Sequence, residues 1–480
     1  MRPTFFDEQR RHRRATWRLA AASALAVVLM GIPVSIAATP LVYGVLLVIG
    51  ESVNLVHPLP PQVIERLAST GALVQHALDW LTGESPGQPP SFTSWVLLAS
   101  MLILPGILLM MALWLGVRAL FRRAGVGGLL LAIGARDPRP GDLEERQLQN
   151  VIEEMAVAAG LKPPRVVLLE SDAVNAALIG SSDADATVVV SRRLLDDFSR
   201  DETQAIVGHL VGSMSNGDLR IAFAMASALG SFGLLIALLD APFGPRSREC
   251  LRRVAHLVLA RKDAAPAEAD LVHAMLASRL ALRDNVATPL TGARAAAGAA
   301  LLLVNAAVKW SLYLFTTVLL GPMLALLWRA RRYLADATAV QLTRNPDALH
   351  GALVNLTRSA GVVPGGASTS YLFIVGPLVR LRTYGLIGFH PDIDRRLRRL
   401  RTQGAAAPGP VASADRTRVQ RVVAGVGAAF AWSVFALGIL AGFAAMALVV
   451  GVSVLASALM LGAVHTAFAL VGLVKTAFVG

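Results

Sequence analysis

Long apolar stretches alternate with polar blocks along the chain, and this alternation predicts membrane-spanning helices attached to a globular part. Residues 19–49 and 95–117 contain no charged residue, and each is longer than the roughly 20 residues that cross a hydrocarbon core. Residues 422–474 form a last apolar region, long enough for two spans joined near Gly451. The pattern therefore predicts two N-terminal spans and a C-terminal pair.

Two further apolar stretches, residues 219–239 and 295–328, are interrupted only by Arg220 and Lys309. They fit either a membrane hairpin or a buried helix pair. The loop between them is rich in arginine, which the positive-inside rule keeps from export. Both interpretations stay open on the sequence alone.

The polar block after Arg123 has the period of a helix, two strands and a second helix. Residues 141–160 form the first helical pattern and end at a glycine. PRVVLLE (164–170) and DATVVVSRRLL (185–195) are branched-residue runs typical of strands, and ALIGSSDAD (177–185) between them is interpreted as a turn. The second helix begins at Ser199, where Glu202 has capping-box spacing, and stops at Asn216-Gly217.

A later polar block, residues 329–401, contains the helical patterns RRYLADATAVQLT and DALHGALVNLTRS and ends in IDRRLRRLR. Residues 63–81, between the N-terminal spans, predict a short amphipathic helix resting on the membrane. Because the apolar run of the first span resumes at Leu41, an uncleaved anchor is favoured over a signal peptide.

Composition and charge agree with this plan. The 480 residues are 55% hydrophobic with a mean hydropathy of +0.57, too apolar for an ordinary soluble enzyme. The net charge of +13 comes from arginines beside the apolar stretches, which indicates membrane topology and anionic lipids rather than nucleic acid. Cys250 is the sole cysteine, so an intrachain disulfide and a cysteine-rich metal site are excluded.

These boundaries predict six regions. They are a transmembrane hairpin with a short external segment (1–123), the first half of the globular domain (124–220), the apolar helix pair with its basic loop (221–328), the second half of the domain (329–403), a flexible linker (404–421) and a C-terminal transmembrane hairpin (422–480).

Residues 202–218, ETQAIVGHLVGSMSNGD, resemble a zinc-binding helix with most of its chemistry removed. In H-E-x-x-H, two histidines one turn apart chelate zinc, and the glutamate activates the metal-bound water. Here His209 holds the first histidine position, Leu210 the glutamate position and Ser213 the second histidine position. Leucine accepts no proton, and a neutral hydroxyl is a poor zinc ligand beside imidazole.

Five motifs occur in one order along the polar blocks: VNAALIG (174–180), VVVSRRLLDDFSRDE (188–202), QAIVGHLVGSMSNGD (204–218), RRYLADATAVQLT (331–343) and GFHPDIDRRLRRL (388–400). Together with the placement of the apolar spans, they resemble the HtpX-like branch of the membrane zinc metallopeptidases, which also includes the CAAX prenyl proteases. The resemblance covers residues 1–403 and implies a zincin fold and a zinc-dependent protease ancestry.

The resemblance also implies roles for distant residues. The third zinc ligand in that family is a glutamate opening an E-x-x-A-D pattern, and Arg332 stands at that position. A guanidinium offers zinc no lone pair and repels a divalent cation. Asp336 matches the residue that supports a liganding histidine, and His390 matches one near the substrate. We therefore expect His209, Arg332, Asp336 and His390 to converge in a residual cleft, with Asp336 paired to Arg332; the alternative is that they are scattered packing groups.

The sequence thus predicts a mainly α integral membrane protein with a small α+β metallopeptidase-like (zincin) cytoplasmic domain, in a multi-pass topology in the bacterial inner membrane. The first hypothesis is a pseudopeptidase that needs no cofactor and acts as an adaptor or regulator, binding peptide segments or membrane proteins in addition to the lipid bilayer. A peptide would add as a further strand at Asn175, Val188 and Val190; the alternative is that these strands serve only the fold. The alternatives are a structural subunit of a membrane complex and an active zinc metalloendopeptidase of membrane-protein quality control. Such an enzyme would draw its ligands from His209, Asp218, Asp336 and His390.

Overall fold

A computed structural model describes residues 60–83, 88–124, 133–242, 244–259, 321–358, 370–376 and 388–406, with isolated residues elsewhere. The predicted first span, most of the linker and the C-terminal hairpin lie outside the described residues. The chain divides into two compact units, one comprising Met1–Val27, Ala112–Pro289 and Thr316–Phe430, and the other comprising Val28–Met111, Leu290–Phe315 and Ala431–Gly480.

The described chain is mostly helical, with one small sheet. In chain order its elements are α1 (Pro61–Thr82), α2 (Phe92–Ala124), β1 (Ala135–Arg136), α3 (Leu143–Ala158), β2 (Arg165–Leu169), β3 (Ala176–Ile179), β4 (Thr187–Ser191), α4 (Arg192–Asp197), α5 (Arg200–Ser215), α6 (Asp218–Asp240), α7 (Pro245–Leu259), α8 (Gly321–Thr343), α9 (Pro346–Arg358) and α10 (Ile393–Thr402), with a 3-10 turn at Ser370–Leu372.

Two of these helices, α2 and α6, are long and apolar enough to cross a membrane. The two helices differ in their surroundings. In the most apolar part of each helix, 11% is buried in α2 and 61% is buried in α6. The predicted second span therefore forms one continuous helix with an exposed apolar surface, as lipid contact requires. Because most of α6 is buried, its apolar stretch (219–239) still fits either a membrane hairpin or a buried helix pair.

Proline 105 lies inside α2, where its ring removes one helical hydrogen bond. The hydroxyl of Tyr43 lies 3.4 Å from the carbonyl oxygen of Met101, which the proline leaves free, and donates to it. The N–H of Gly106 donates to the Ser35 hydroxyl at 2.8 Å. Side chains of a neighbouring segment thus satisfy the interrupted backbone, as a helix in an apolar environment needs.

The sheet has the order β1-β2-β4-β3, with β2 and β4 parallel and the other pairs antiparallel. The prediction of a turn over ALIG was wrong, because Ala176–Ile179 forms strand β3. This short run shows no alternation because all of its residues are buried, so periodicity gave no strand signal. The true turn is shorter and is held by the Asp185 carboxylate, which accepts from the backbone N–H groups of Ser181 and Ser182.

The predicted ends of the helices are confirmed. Ser199 and Glu202 form a reciprocal capping box at the start of α5. Gly217 stops that helix with φ +78°, and Gly160 follows α3 with φ +68°, both in the left-handed region that favours glycine. These local signals fix where α5 begins and ends, and α5 carries the candidate site.

Helices α5 and α8 cross at close range in the core of the globular domain. A Cβ atom on Gly212 would lie 3.0 Å from Cβ of Thr338, and one on Gly208 would lie 3.0 Å from Cγ2 of Thr343. The two glycines are one turn apart, so a single smooth face of α5 meets α8. This crossing brings His209 on α5 next to Arg332 and Asp336 on α8, over a hundred residues later in the chain.

Candidate functional site

His209 is completely buried between two charged side chains of α8. Its Nδ1 lies 2.9 Å from Oδ1 of Asp336, and its Nε2 lies 3.4 Å from Nη1 of Arg332. Burial lowers the pKa of His209, and the two nearby arginines add to this while Asp336 opposes it. The ring is therefore neutral at pH 7, with the proton assigned to Nδ1 by its carboxylate neighbour. The lone pair on Nε2 then accepts from the guanidinium.

The carboxylate of Asp336 is held by Arg396 of α10. Arg396 Nε donates to Oδ2 at 2.8 Å and Nη2 donates to Oδ1 at 2.7 Å, a bidentate pair. Burial alone would raise the pKa of Asp336, but Arg396 and His209 more than offset it and hold the pKa below its ordinary value. The predicted pair between Asp336 and Arg332 was wrong, because α10 supplies a guanidinium that approaches the carboxylate with both donors aligned.

The guanidinium of Arg332 bridges His209 and a backbone segment. Its Nη2 donates to the carbonyl oxygens of Tyr371, Leu372 and Phe373 at 2.9, 2.9 and 2.6 Å. Its Cζ lies 5.1 Å from the centroid of the Trp328 ring, within cation–π range. Burial, with Arg396, lowers the pKa of Arg332 to about 10, while Asp218 and Asp336 oppose the shift. Arg332 therefore stays charged at neutral pH and acts as a fixed donor.

Residues Tyr371–Gly376, which we call the covering segment, lie along the outer edge of β3. Phe373 pairs with Ala177 in an antiparallel bridge, and the N–H of Ile374 donates to the Ala176 carbonyl at 2.9 Å. The side chain of Asn175 donates to the Val375 carbonyl at 2.7 Å. The covering segment thus takes the place where an extended peptide would add to the sheet.

The predicted peptide edge needs correction. Val188 and Val190 lie on β4, which is hydrogen-bonded to β2 on one side and β3 on the other, and both are fully buried. They have no free backbone edge, so they cannot receive a peptide. Strand patterns along a chain do not reveal the order of the strands in the sheet, and β3, rather than β4, lies at this edge. Asn175 does lie at this edge, where it binds the covering segment.

Leu210 and His390 are both buried, each in a different environment. Leu210 packs in the hydrophobic core and is completely buried. His390 is buried against the far end of the covering segment, where a Cβ atom on Gly376 would lie 2.4 Å from its ring. The described contacts therefore join His209, Arg332 and Asp336 in one cluster, with His390 against the segment that Arg332 binds.

Ser213 and Asp218 belong to a second buried cluster at the end of α5. The Ser213 hydroxyl and Nε of Arg331 both donate to the Asp218 carboxylate, and Nη2 of Arg331 also donates to the Asn216 carbonyl. Sequence reasoning missed Arg331 and Arg396 because both lie in arginine-rich runs where no spacing distinguishes a buried arginine from a solvated one. The approach of two helices from distant parts of the chain decides which arginine is buried.

The residues that the sequence resemblance aligns with a zinc site do not fit zinc. The available lone pair of His209 faces a cation, Ser213 donates its proton to Asp218, and the position of the third ligand is a guanidinium. Within the described ranges, no three His, Cys, Asp or Glu side chains are grouped so that they could hold a metal ion. A zinc ion next to Nε2 would require the charged group of Arg332 to leave.

Comparison with known proteins gives one family. The model of Peptidase family M48 matches residues 142–403. A protein named Protease HtpX homolog from Dictyoglomus turgidum is 26% identical over 277 residues, 56% of this chain and 73% of that protein. Proteins of the same name from Streptococcus uberis (29% over 262 residues, 52% and 71%) and Thermococcus kodakarensis (26% over 265 residues, 54% and 74%) are also similar.

Proposed function

We propose that this chain, which belongs to the HtpX-like peptidase family M48, is a membrane-anchored pseudopeptidase that binds no catalytic zinc and acts as an adaptor or regulator of membrane proteins. The observation that carries the proposal is the contact between Nη1 of Arg332 and Nε2 of His209. In this arrangement a protein cation takes the lone pair that would bind the metal. The charge and three backbone hydrogen bonds of the guanidinium then have a structural role.

The position of the catalytic base supports the same proposal. A hydrolytic zinc site needs a carboxylate beside the metal-bound water. Leu210 stands at that position and packs among the core side chains of the domain. Glu202, the nearest glutamate earlier on α5, belongs to the capping box and accepts a 2.8 Å hydrogen bond from Asn355. It therefore has a local structural role two turns away from His209.

The alternative, an active zinc metalloendopeptidase with unorthodox ligands, is favoured by the family and by relatives named proteases. Its remaining acidic ligands would be Asp218 and Asp336. Both carboxylates are already bound by buried arginines, Asp218 by Arg331 and Asp336 by Arg396. Zinc would have to compete with these ion pairs and with Arg332, so we rank this function second.

The proposal includes a multi-pass chain in the bacterial cytoplasmic membrane with the M48 domain on the cytoplasmic side. Support comes from α2, whose exposed apolar surface is followed by Arg122 and Arg123 in its last turn. Because the covering segment lies on β3, a peptide partner would have to displace it. We therefore expect the adaptor to bind through another surface, such as its membrane-spanning helices.

Restoring the substituted positions tests the proposal. In the triple variant Leu210→Glu, Ser213→His and Arg332→Glu, we expect detergent-purified protein to gain bound zinc and hydrolysis of fluorescent casein. The wild-type chain, purified in parallel and supplied with zinc, should hydrolyse no casein. The matched control Leu210→Glu with Ser213→His retains Arg332 and should gain neither property. Zinc-dependent hydrolysis by the wild-type chain that is lost on His209→Ala would refute the proposal.

A further inference from the structure

A cluster of arginines surrounds Tyr333 on the surface formed by α8 and α10. Arg329 and Tyr333 are one turn apart on α8, and Arg395 and Arg399 are one turn apart on α10. The guanidinium carbon of Arg399 lies 3.8 Å from the centroid of the Tyr333 ring, so these two helix faces are in contact. We call these four residues the arginine cluster.

The cluster is held in position rather than formed by freely moving side chains. Nε of Arg329 donates to the Gly388 carbonyl at 2.7 Å, which directs the guanidinium toward the loop before α10. Helix α10 is anchored by Ile393, Leu397 and Leu400 in the core and projects Arg395 into solvent. The positive charges therefore stay close together although they repel each other.

Electrostatics within the cluster agree with this geometry. Burial lowers the pKa of Arg329, and Arg395 lowers it further while Tyr333 raises it. Burial raises the pKa of Tyr333, and Arg399, Arg395 and Arg396 oppose this rise because their positive charges lie near the phenol. The surface between α8 and α10 thus concentrates positive charge, a pattern that an anionic ligand would stabilise.

The position in the chain indicates which anion is available. Residues 295–328 carry a single charge, Lys309, and α8 contains the end of this apolar stretch before its first arginine, Arg329. In the multi-pass chain proposed above, Arg329 marks the boundary of this stretch, where anionic headgroups concentrate. Arginine binds phosphate through two parallel hydrogen bonds, and tyrosine is enriched at the membrane–water interface.

We propose that Arg329, Tyr333, Arg395 and Arg399 form a binding site for the phosphate headgroup of an anionic phospholipid in the membrane that anchors the chain. The proposal rests on the membrane anchoring proposed above but not on the absence of zinc. Its chemistry is charge-assisted hydrogen bonding from the guanidinium groups, with the ring of Tyr333 holding Arg399 in place.

A lipid titration tests the site. The full chain in neutral detergent is titrated with short-chain phosphatidylglycerol, short-chain phosphatidylcholine or inorganic phosphate, and its unfolding temperature is followed. We expect a saturable rise with phosphatidylglycerol only. Arg395→Gln should weaken this binding about fivefold, from about 1 kcal/mol per arginine near anionic lipid, and Arg329→Gln should weaken it similarly. Added salt should reduce it further.

The matched control is Arg200→Gln, an arginine with 63% side-chain exposure at the start of α5, which should leave lipid binding unchanged. Equal effects of the two lipids, or equal loss in Arg200→Gln and Arg395→Gln, would overturn the proposal. A rise with inorganic phosphate equal to that with phosphatidylglycerol would overturn the assignment to lipid. Zinc in the purified wild-type chain would refute the pseudopeptidase function and would leave this titration unaffected.

Discussion

Replacing Arg332 with methionine removes the guanidinium while keeping a side chain of similar length. The two hydrogens of Nη2 are shared among the three carbonyl oxygens of the covering segment, so about two charge-assisted hydrogen bonds are lost. Such bonds contribute roughly 1.5–3 kcal/mol each, and relief of the buried charge offsets part of the loss. We therefore expect the variant to be about 3 kcal/mol less stable than the wild-type chain.

Apolar replacement of a buried ion pair is often stabilising, but that result requires both partners to be removed. Here the carbonyl groups remain and lose their donor. A loss of about 3 kcal/mol corresponds to a fall in unfolding temperature of about 6–12 °C for a domain of this size. Thermal unfolding followed by tryptophan fluorescence is a suitable assay, because Trp328 contacts the guanidinium directly.

Two controls accompany this measurement. Arg332→Lys keeps the charge with a compact ammonium that cannot replace the planar donor set, so its unfolding temperature should lie between those of the wild type and Arg332→Met. Arg200→Met removes an arginine with 63% exposure, 3.8 Å from Glu154, and should change stability by less than about 0.5 kcal/mol. If Arg332→Met unfolds at the same temperature as Arg200→Met, the structural role assigned to Arg332 is wrong.

Three further predictions concern the surroundings of the site. Gly212→Ala places a Cβ 3.0 Å from Cβ of Thr338 and should destabilise the domain by about 1–3 kcal/mol in urea unfolding. In the control Gly116→Ala the new Cβ has no atom within 4 Å and should not destabilise the domain; equal effects would contradict the close crossing of α5 and α8. Asp218→Asn leaves the buried Arg331 without its carboxylate and should lower the free energy of unfolding by about 3–5 kcal/mol. The control Asp137→Asn, in an exposed ion pair, should lower it by less than about 1 kcal/mol; a small loss in both variants would show that the Asp218 cluster is solvated. Because the pKa of His209 is lowered in the folded chain, the unfolded chain takes up the proton first, and stability should fall as the pH drops below about 6.5. Urea unfolding at pH 7.5 and 5.5 should show a smaller loss in His209→Gln than in the wild type; an unchanged pH dependence would count against a neutral buried His209.

The sequence predicted local features well where one side chain determines the backbone. The capping box at Ser199 and the left-handed glycines at 160 and 217 follow from rules that act within a few residues. The helices of the later polar block also follow from periodicity alone. Strand β3 could not be predicted in this way, because it is buried on all its residues and has no alternation.

The partners within the site depend on contacts between distant segments. Arg332 and Asp336 are one turn apart on α8, which suggested a pair, yet Asp336 binds Arg396 and Arg332 binds backbone carbonyls. Helix geometry limits which residues share a face, but the third element that packs against that face decides the pairing. For the same reason, the strand order that buries Val188 and Val190 was not accessible from the sequence.

The zinc content of the wild-type chain tests the central claim most directly. Protein purified in neutral detergent with zinc in every buffer is analysed by inductively coupled plasma mass spectrometry, beside His209→Ala. With the Nε2 lone pair of His209 facing Arg332, we predict the same background zinc in both proteins. On the order of one zinc per wild-type chain, lost in His209→Ala, would contradict the claim that a guanidinium has replaced the metal.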